Sequence, residues 1–180
     1  MKFLLGLLIG LLLWPAMGYL YFRFGYAPVA TAAPPMPFEK QLARMALHAR
    51  IAAEAPKSAP LQPDPATLAA GAQIYVDDCA FCHGLPHQQD VPPAGKGMFP
   101  VPPQLFKPDE MVTDNPVGQT YWKVANGIRL TGMPAFNQSL STEQMWQVSV
   151  LLANADKLPE PVQAALQTGA HTTISPAATQ

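Results

Sequence analysis

Cysteine occurs twice in this chain, in the stretch DDCAFCHG at residues 77–84, where Cys79 and Cys82 stand two residues apart and His83 follows at once. This feature limits the folding options most, because thiols at such spacing serve few chemistries. A structural zinc site needs four ligands, usually from two clusters of this kind, and His48, His87 and His171 supply no finger-like spacing. A thioredoxin-type dithiol belongs at a strand-to-helix junction of an α/β domain, whereas this pattern ends a helical stretch in a chain without a βαβ rhythm. A disulfide between Cys79 and Cys82 would close a very small loop, stabilise little and leave His83 without a role.

The pattern C-x-x-C-H also serves as an attachment site for one covalent haem c: two thiols add to the porphyrin vinyl groups, and the adjacent His is held under the iron. The next stretch, GLPHQQDVPPAGKGMFPVPPQLFK at residues 84–107, is rich in Pro and Gly, so regular structure there should be scarce. So long a loop inside a compact domain needs something to wrap around, and a haem provides it. A sixth iron ligand would come from His87, Met98, Met111, Met133, Met145 or His171. His87 is too near His83 to reach across the ring, Met145 has a core position in the last helix, and His171 lies in the tail. Met98 and Met111 stand in or beside loops and stay open. Met133, between Gly132 and Pro134 in a loop joining two helices, has both reach and restraint and is the favoured ligand. The plainer reading of Met133 is an apolar lid contact.

The pattern along the chain predicts an all-α protein of a few helices. Phe3–Phe22 are twenty uncharged, mostly apolar residues, enough to span a hydrocarbon core as a helix. Tyr19, Tyr21, Phe22 and Arg23 at its end resemble an interfacial belt, which favours a retained anchor over residues 1–26. The alternative is a secretory signal cleaved near Ala30-Thr31-Ala32. Residues 27–63 have linker composition, interrupted by a helical stalk over 38–54 with Leu42, Met45, Ala49 and Ala53 near one face and His48 on the surface. Residues 64–158 hold the domain. Asp64 and Pro65 open a helix running to about Asp78, Asn115-Pro116 starts one ending at Asn126, and Ser141 with Gln144 caps one from Thr142 to about Asp156. Residues 159–180, Ala, Thr, Gln and Pro without periodicity, are expected to be a disordered tail.

Charged residues are 13% of the chain and its formal net charge is −1, so a nucleic-acid partner is not expected. The charge is unevenly placed. Residues 1–63 carry six basic against two acidic side chains, and residues 66–158 carry five basic against eight acidic. No carboxylate pair, nucleophile with base, or phosphate loop suggests catalysis.

CAFCH together with the loop NGIRLTGMPAF, residues 126–136, resembles the class I mono-haem cytochromes c, a bacterial group in particular, over residues 64–158. The resemblance implies a fold of three to four helices around one covalently bound haem, preceded here by a transmembrane helix. It implies a crossing of the first and last helices, to which Gly71, Tyr75 and Trp146 are suited. It also implies that His83 passes its other ring N–H to a carbonyl near Pro100, Pro102 or Pro103. Trp122 and Arg129 fall where relatives place groups near the haem edge and propionates; the alternatives are a core Trp122 and a solvated Arg129.

With His83 and Met133 both on iron, no position is left for substrate, which implies a one-electron carrier rather than an enzyme. Haem is attached in such families outside the bacterial cytoplasmic membrane, which implies a single-pass anchor with the haem domain in the periplasm. The implied partners are membrane-bound electron donor and acceptor complexes of a respiratory chain. The competing expectations are a cytochrome subunit fixed in a larger dehydrogenase or oxidase, and an open-iron enzyme or sensor if Met133 is not bound.

Overall fold

The structure, a computed structural model, describes residues 2–107 and 112–168. Every regular element among these residues is helical, as the sequence pattern predicts. The chain divides into two compact units, residues 1–44 and 45–180. The first contains α1 (Lys2–Arg23) and the opening of α2 (Glu39–Glu54). α1 includes Pro15, buries none of its residues and reaches a mean hydropathy of 2.0, making it long and apolar enough to cross a membrane. A secretory signal sequence fits the same description.

In the second unit, α3 (Pro65–Ile74) begins where the capping residues place it. The Asp64 carboxylate accepts the Thr67 amide hydrogen at 2.8 Å, and Pro65 occupies a position whose N–H would have had no helical partner. That bond holds the exposed Asp64 carboxyl below the usual carboxylate range. The helical path does not stop at Asp78. It continues through one π-helical turn, Tyr75–Cys79, into α4 (Ala80–His83), so the cysteine motif is itself helical. A π turn inserts a residue and rotates the next helical turn about the axis. Tyr75 thereby stays fully buried, its hydroxyl donating to the Gly84 carbonyl at 2.7 Å, while Cys79, Cys82 and His83 face a cavity.

The Pro-rich loop contains one short helix, α5 (Pro93–Lys96). α6 (Val117–Asn126) and α7 (Thr142–Ala153) complete the expected set, α7 with the full Ser141/Gln144 capping box. α3 crosses α7 closely: Gly71 lies against the Gln147 main chain, and any β-carbon there would collide with it. Leu68, Ala72, Val148, Leu151 and Leu152 share the core around this crossing. Trp146 does not meet Tyr75. It stacks on Tyr121 of α6, centroids 4.0 Å apart and 13° from parallel, while Tyr75 meets Phe106 edge-on at 5.0 Å.

Both flanks of the domain differ from expectation. Ahead of residue 64 the compact unit already begins at 45, because the second half of α2 and the chain after it pack within it. Ile51 is 3% exposed, Ala59 and Leu61 rest on the core, and the Trp122 indole N–H donates to the Glu54 carboxylate at 3.0 Å. The Pro56 carbonyl lies so near Gly118 that α6 tolerates no β-carbon there. The buried side of α2 is therefore Ile51, with Leu47 half-buried one turn earlier, while Leu42 and Met45 are exposed. At the other flank, the tail expected to be disordered from 159 forms α8 (Glu160–Thr168). Val162 and Leu166, four residues apart, are buried in the domain core, an apolar stripe masked by the surrounding Ala, Gln and Thr. Residues 169–180 lie outside the described ones.

Candidate functional site

A cavity of about 250 Å³ opens between the cysteine motif and the loop after α6. Cys79, Cys82 and His83 line it from one side, and Thr131, Gly132, Met133 and Pro134 line it too. Met98 and the prolines at 100, 102 and 103 belong to the same lining, with Val112, Val124, Ile128 and Leu152 adding apolar surface. The two sequence clusters fifty residues apart, at 83 and 133, thus meet in one space.

His83 is fixed by the Pro-rich loop. Its Nδ1 lies 2.7 Å from the Pro103 carbonyl, and since a carbonyl only accepts, Nδ1 carries the hydrogen and Nε2 keeps its lone pair. Of the three prolines left open, Pro103 supplies the acceptor. Burial lowers the His83 pKa, with the Pro103 bond opposing, so the neutral imidazole needed for ligation is favoured. Burial also pushes the Cys79 thiol up to about 12, with Asp78 and then Cys82 adding to the effect. Cys79 and Cys82 are not joined in a disulfide. Among the described residues no group of three or more His, Cys, Asp or Glu side chains is placed to share a metal ion.

The facing loop is held by its own hydrogen bonds. The Thr131 hydroxyl donates to the Ile128 carbonyl at 2.7 Å and accepts from the Met133 amide at 3.1 Å; the Ile128 amide donates to the Met133 carbonyl at 3.1 Å. Gly127 turns the chain at a φ of +64°, with the Pro134 and Ala135 main chain too close for a side chain. Gly132 lies against the Met98 thioether, where a β-carbon would collide with the sulfur. Two methionines of the open list, Met98 and Met133, therefore border the cavity. Met145 is buried at 4% exposure, as its helix position implies, and His87 is exposed and outside the lining. Met111 and His171 lie outside the described residues.

Trp122 and Arg129 are not brought to the cavity. Trp122 turns toward Glu54, and Arg129 is exposed on the loop. Thr120 and Lys123 of α6, together with Leu47 and His48 of α2, line the cavity instead. The α6 pair left only a weak signal in the sequence: residues 120 and 123 share one helical face with Val124, but a polar pair there looks solvated. The α2 pair left none, because its contacts depend on packing across long sequence separation.

The residues present fit a haem c. A paired-thiol rim, a neutral His with a free Nε2, a largely apolar wall and two thioethers match the group's donors and its flat apolar body. The Thr120 hydroxyl is buried and unpartnered within that lining, an orphan that a bound polar group would satisfy.

Residues 66–152 match the family model described as cytochrome c oxidase, cbb3-type, subunit III. No curated protein matches the sequence. A chain of the Kuenenia stuttgartiensis reducing HAO-like protein complex is similar at 21% identity, with a TM-score of 0.47, over 69% of this chain and 52% of its own. The chain thus spans about half the length of that structure. The matched segment implies covalently bound haem c and electron transfer. Residues 66–152 are a c-type cytochrome domain.

Proposed function

We propose that the protein is a membrane-anchored one-electron carrier with a single haem c, attached at Cys79 and Cys82 and ligated by His83 and Met133. The observation that carries this reading is the convergence of the Pro103-fixed His83 and the Met133 loop on one cavity. The haem supplies reversible one-electron chemistry when bound. The chain does the rest. Pro103 orients His83, the Thr131 hydrogen bonds present Met133, and Val112, Val124, Ile128 and Leu152 exclude water. Met133 is favoured over Met98 because its own main chain is clamped on both sides, the amide by Thr131 and the carbonyl by Ile128. A haem iron held by both His83 and Met133 would have no position open to substrate.

The test is the near-infrared charge-transfer band of Met sulfur on ferric haem in the purified protein. Its presence supports the carrier; its absence, with rapid CO binding after reduction, replaces it with an open-iron enzyme or sensor. Intact mass reads haem number and whether α1 is retained. We place the protein as a single-pass species of the bacterial cytoplasmic membrane with its haem domain in the periplasm, working between membrane-bound donor and acceptor complexes of a respiratory chain. The length and apolarity of α1 support the anchor. A second reading, a cytochrome subunit fixed in a larger complex, is favoured by the oxidase-subunit description of the matched family. Tight copurification with such a complex would select it over the free carrier.

A further inference from the structure

Two polar groups of the cavity have no ion-pair or hydrogen-bond partner among the described residues. Thr120 is 5% exposed and its hydroxyl makes no hydrogen bond. Lys123, three residues later on the same face of α6, is half-buried in the same lining. Among the described residues the one ion pair is between Arg50 and Glu54, so neither Asp78, which also lines the cavity, nor any other described acid pairs with Lys123. Burial pushes the Lys123 ammonium below the ordinary lysine range, which marks the cost of holding it there alone. A partly desolvated cation one helical turn from an unsatisfied hydroxyl is costly unless an acidic acceptor arrives with the ligand.

We propose that Thr120 and Lys123, one turn apart on α6, form a carboxylate-binding pair inside the cavity that takes a propionate of the bound haem. This rests on the haem reading above. The Lys123 ammonium neutralises the carboxylate while the Thr120 hydroxyl donates to one of its oxygens, which satisfies both orphans in one contact. Arg129, the residue whose chain position suggested this role, is exposed and outside the lining. His48 and His83 are the other basic groups of the cavity wall; His83 is bonded to Pro103, and on the haem reading its Nε2 is reserved for the iron.

A cation beside a propionate offsets negative charge near the iron and so favours the reduced state. In the full-length holoprotein, Lys123→Met should lower the midpoint potential, Lys123→Arg should hold it near the parent value, and Thr120→Val should lower it by less than Lys123→Met. Haem mass and the near-infrared band should stay as in the parent in all three. Equal potentials in Lys123→Met, Lys123→Arg and the parent would overturn the pairing while leaving the haem reading intact. If Lys123→Met does not assemble, Thr120→Val decides, since an unchanged potential there also overturns it. A parent protein without haem mass would instead remove the reading on which the pairing rests.

Discussion

The two walls of the cavity are built differently. The His83 wall is one helix: Cys79, Cys82 and His83 fall within five residues, and a single hydrogen bond to Pro103 aligns the imidazole. The Met133 wall is made of loops from two parts of the chain, where a self-bonded turn meets Met98 from the Pro-rich stretch. One wall takes its three functional side chains from five consecutive residues and one loop contact, and the other needs the domain to close. The first should therefore govern whether haem is held at all, and the second how the iron behaves once it is held.

Removing both thiols, with Cys79→Ser and Cys82→Ser together, should abolish covalent haem, seen as loss of the haem increment in intact mass. Retained haem mass would place attachment elsewhere. Next in size, Met133→Leu should eliminate the near-infrared band and open the reduced protein to CO, while Met98→Leu leaves the band in place. The reverse result would move the axial ligand to Met98 and make the Pro-rich loop the true distal wall. Gly132→Ala should destabilise the holoprotein by about 1 kcal/mol, at the low end for overpacking because the flexible Met98 thioether can give way. An unchanged thermal midpoint would show that Met98 does not brace the loop. Thr131→Val should lose under about 1 kcal/mol, the net worth of its hydrogen bonds at a partly exposed site, with a weaker near-infrared band as the second readout.

The helical fold, the capped starts of α3 and α7 and the His83 wall were all legible in the sequence, because each depends on residues close in the chain. The π turn at Tyr75–Cys79 was not, since its side chains suit an α-helix equally and the extra residue is dictated by burial of Tyr75. The contents of the distal wall were legible only as a choice between methionines. Spacing states reach, but it does not state which loop packs on which glycine. Thr120 and Lys123 were hidden for a related reason: a polar pair on a helix face looks solvated until a second wall stands opposite. The packing of 45–63 was hidden because the helix over 38–54 looks like a solvated stalk and the Pro-rich stretch after it like linker, and Ile51 gives no hint that Glu54 meets an indole 68 residues away. α8 was missed because two apolar residues in nine is a weak stripe until a core is there to receive them.

The packing of Ile51, Glu54 and Pro56 within the unit that holds the cysteine motif also bears on the proposed membrane anchor. A linker over 27–63 would have flexible stretches on both sides of its helical stalk, whereas only residues 24–38 separate α1 from α2. Fully extended, that stretch reaches at most about 50 Å. If α1 is retained as an anchor, a haem domain on so short a leash would sample a small volume at correspondingly high effective concentration. Its donor and acceptor would have to stand within that radius of the anchor, so partner geometry rather than diffusion along the membrane would set which electron transfers occur.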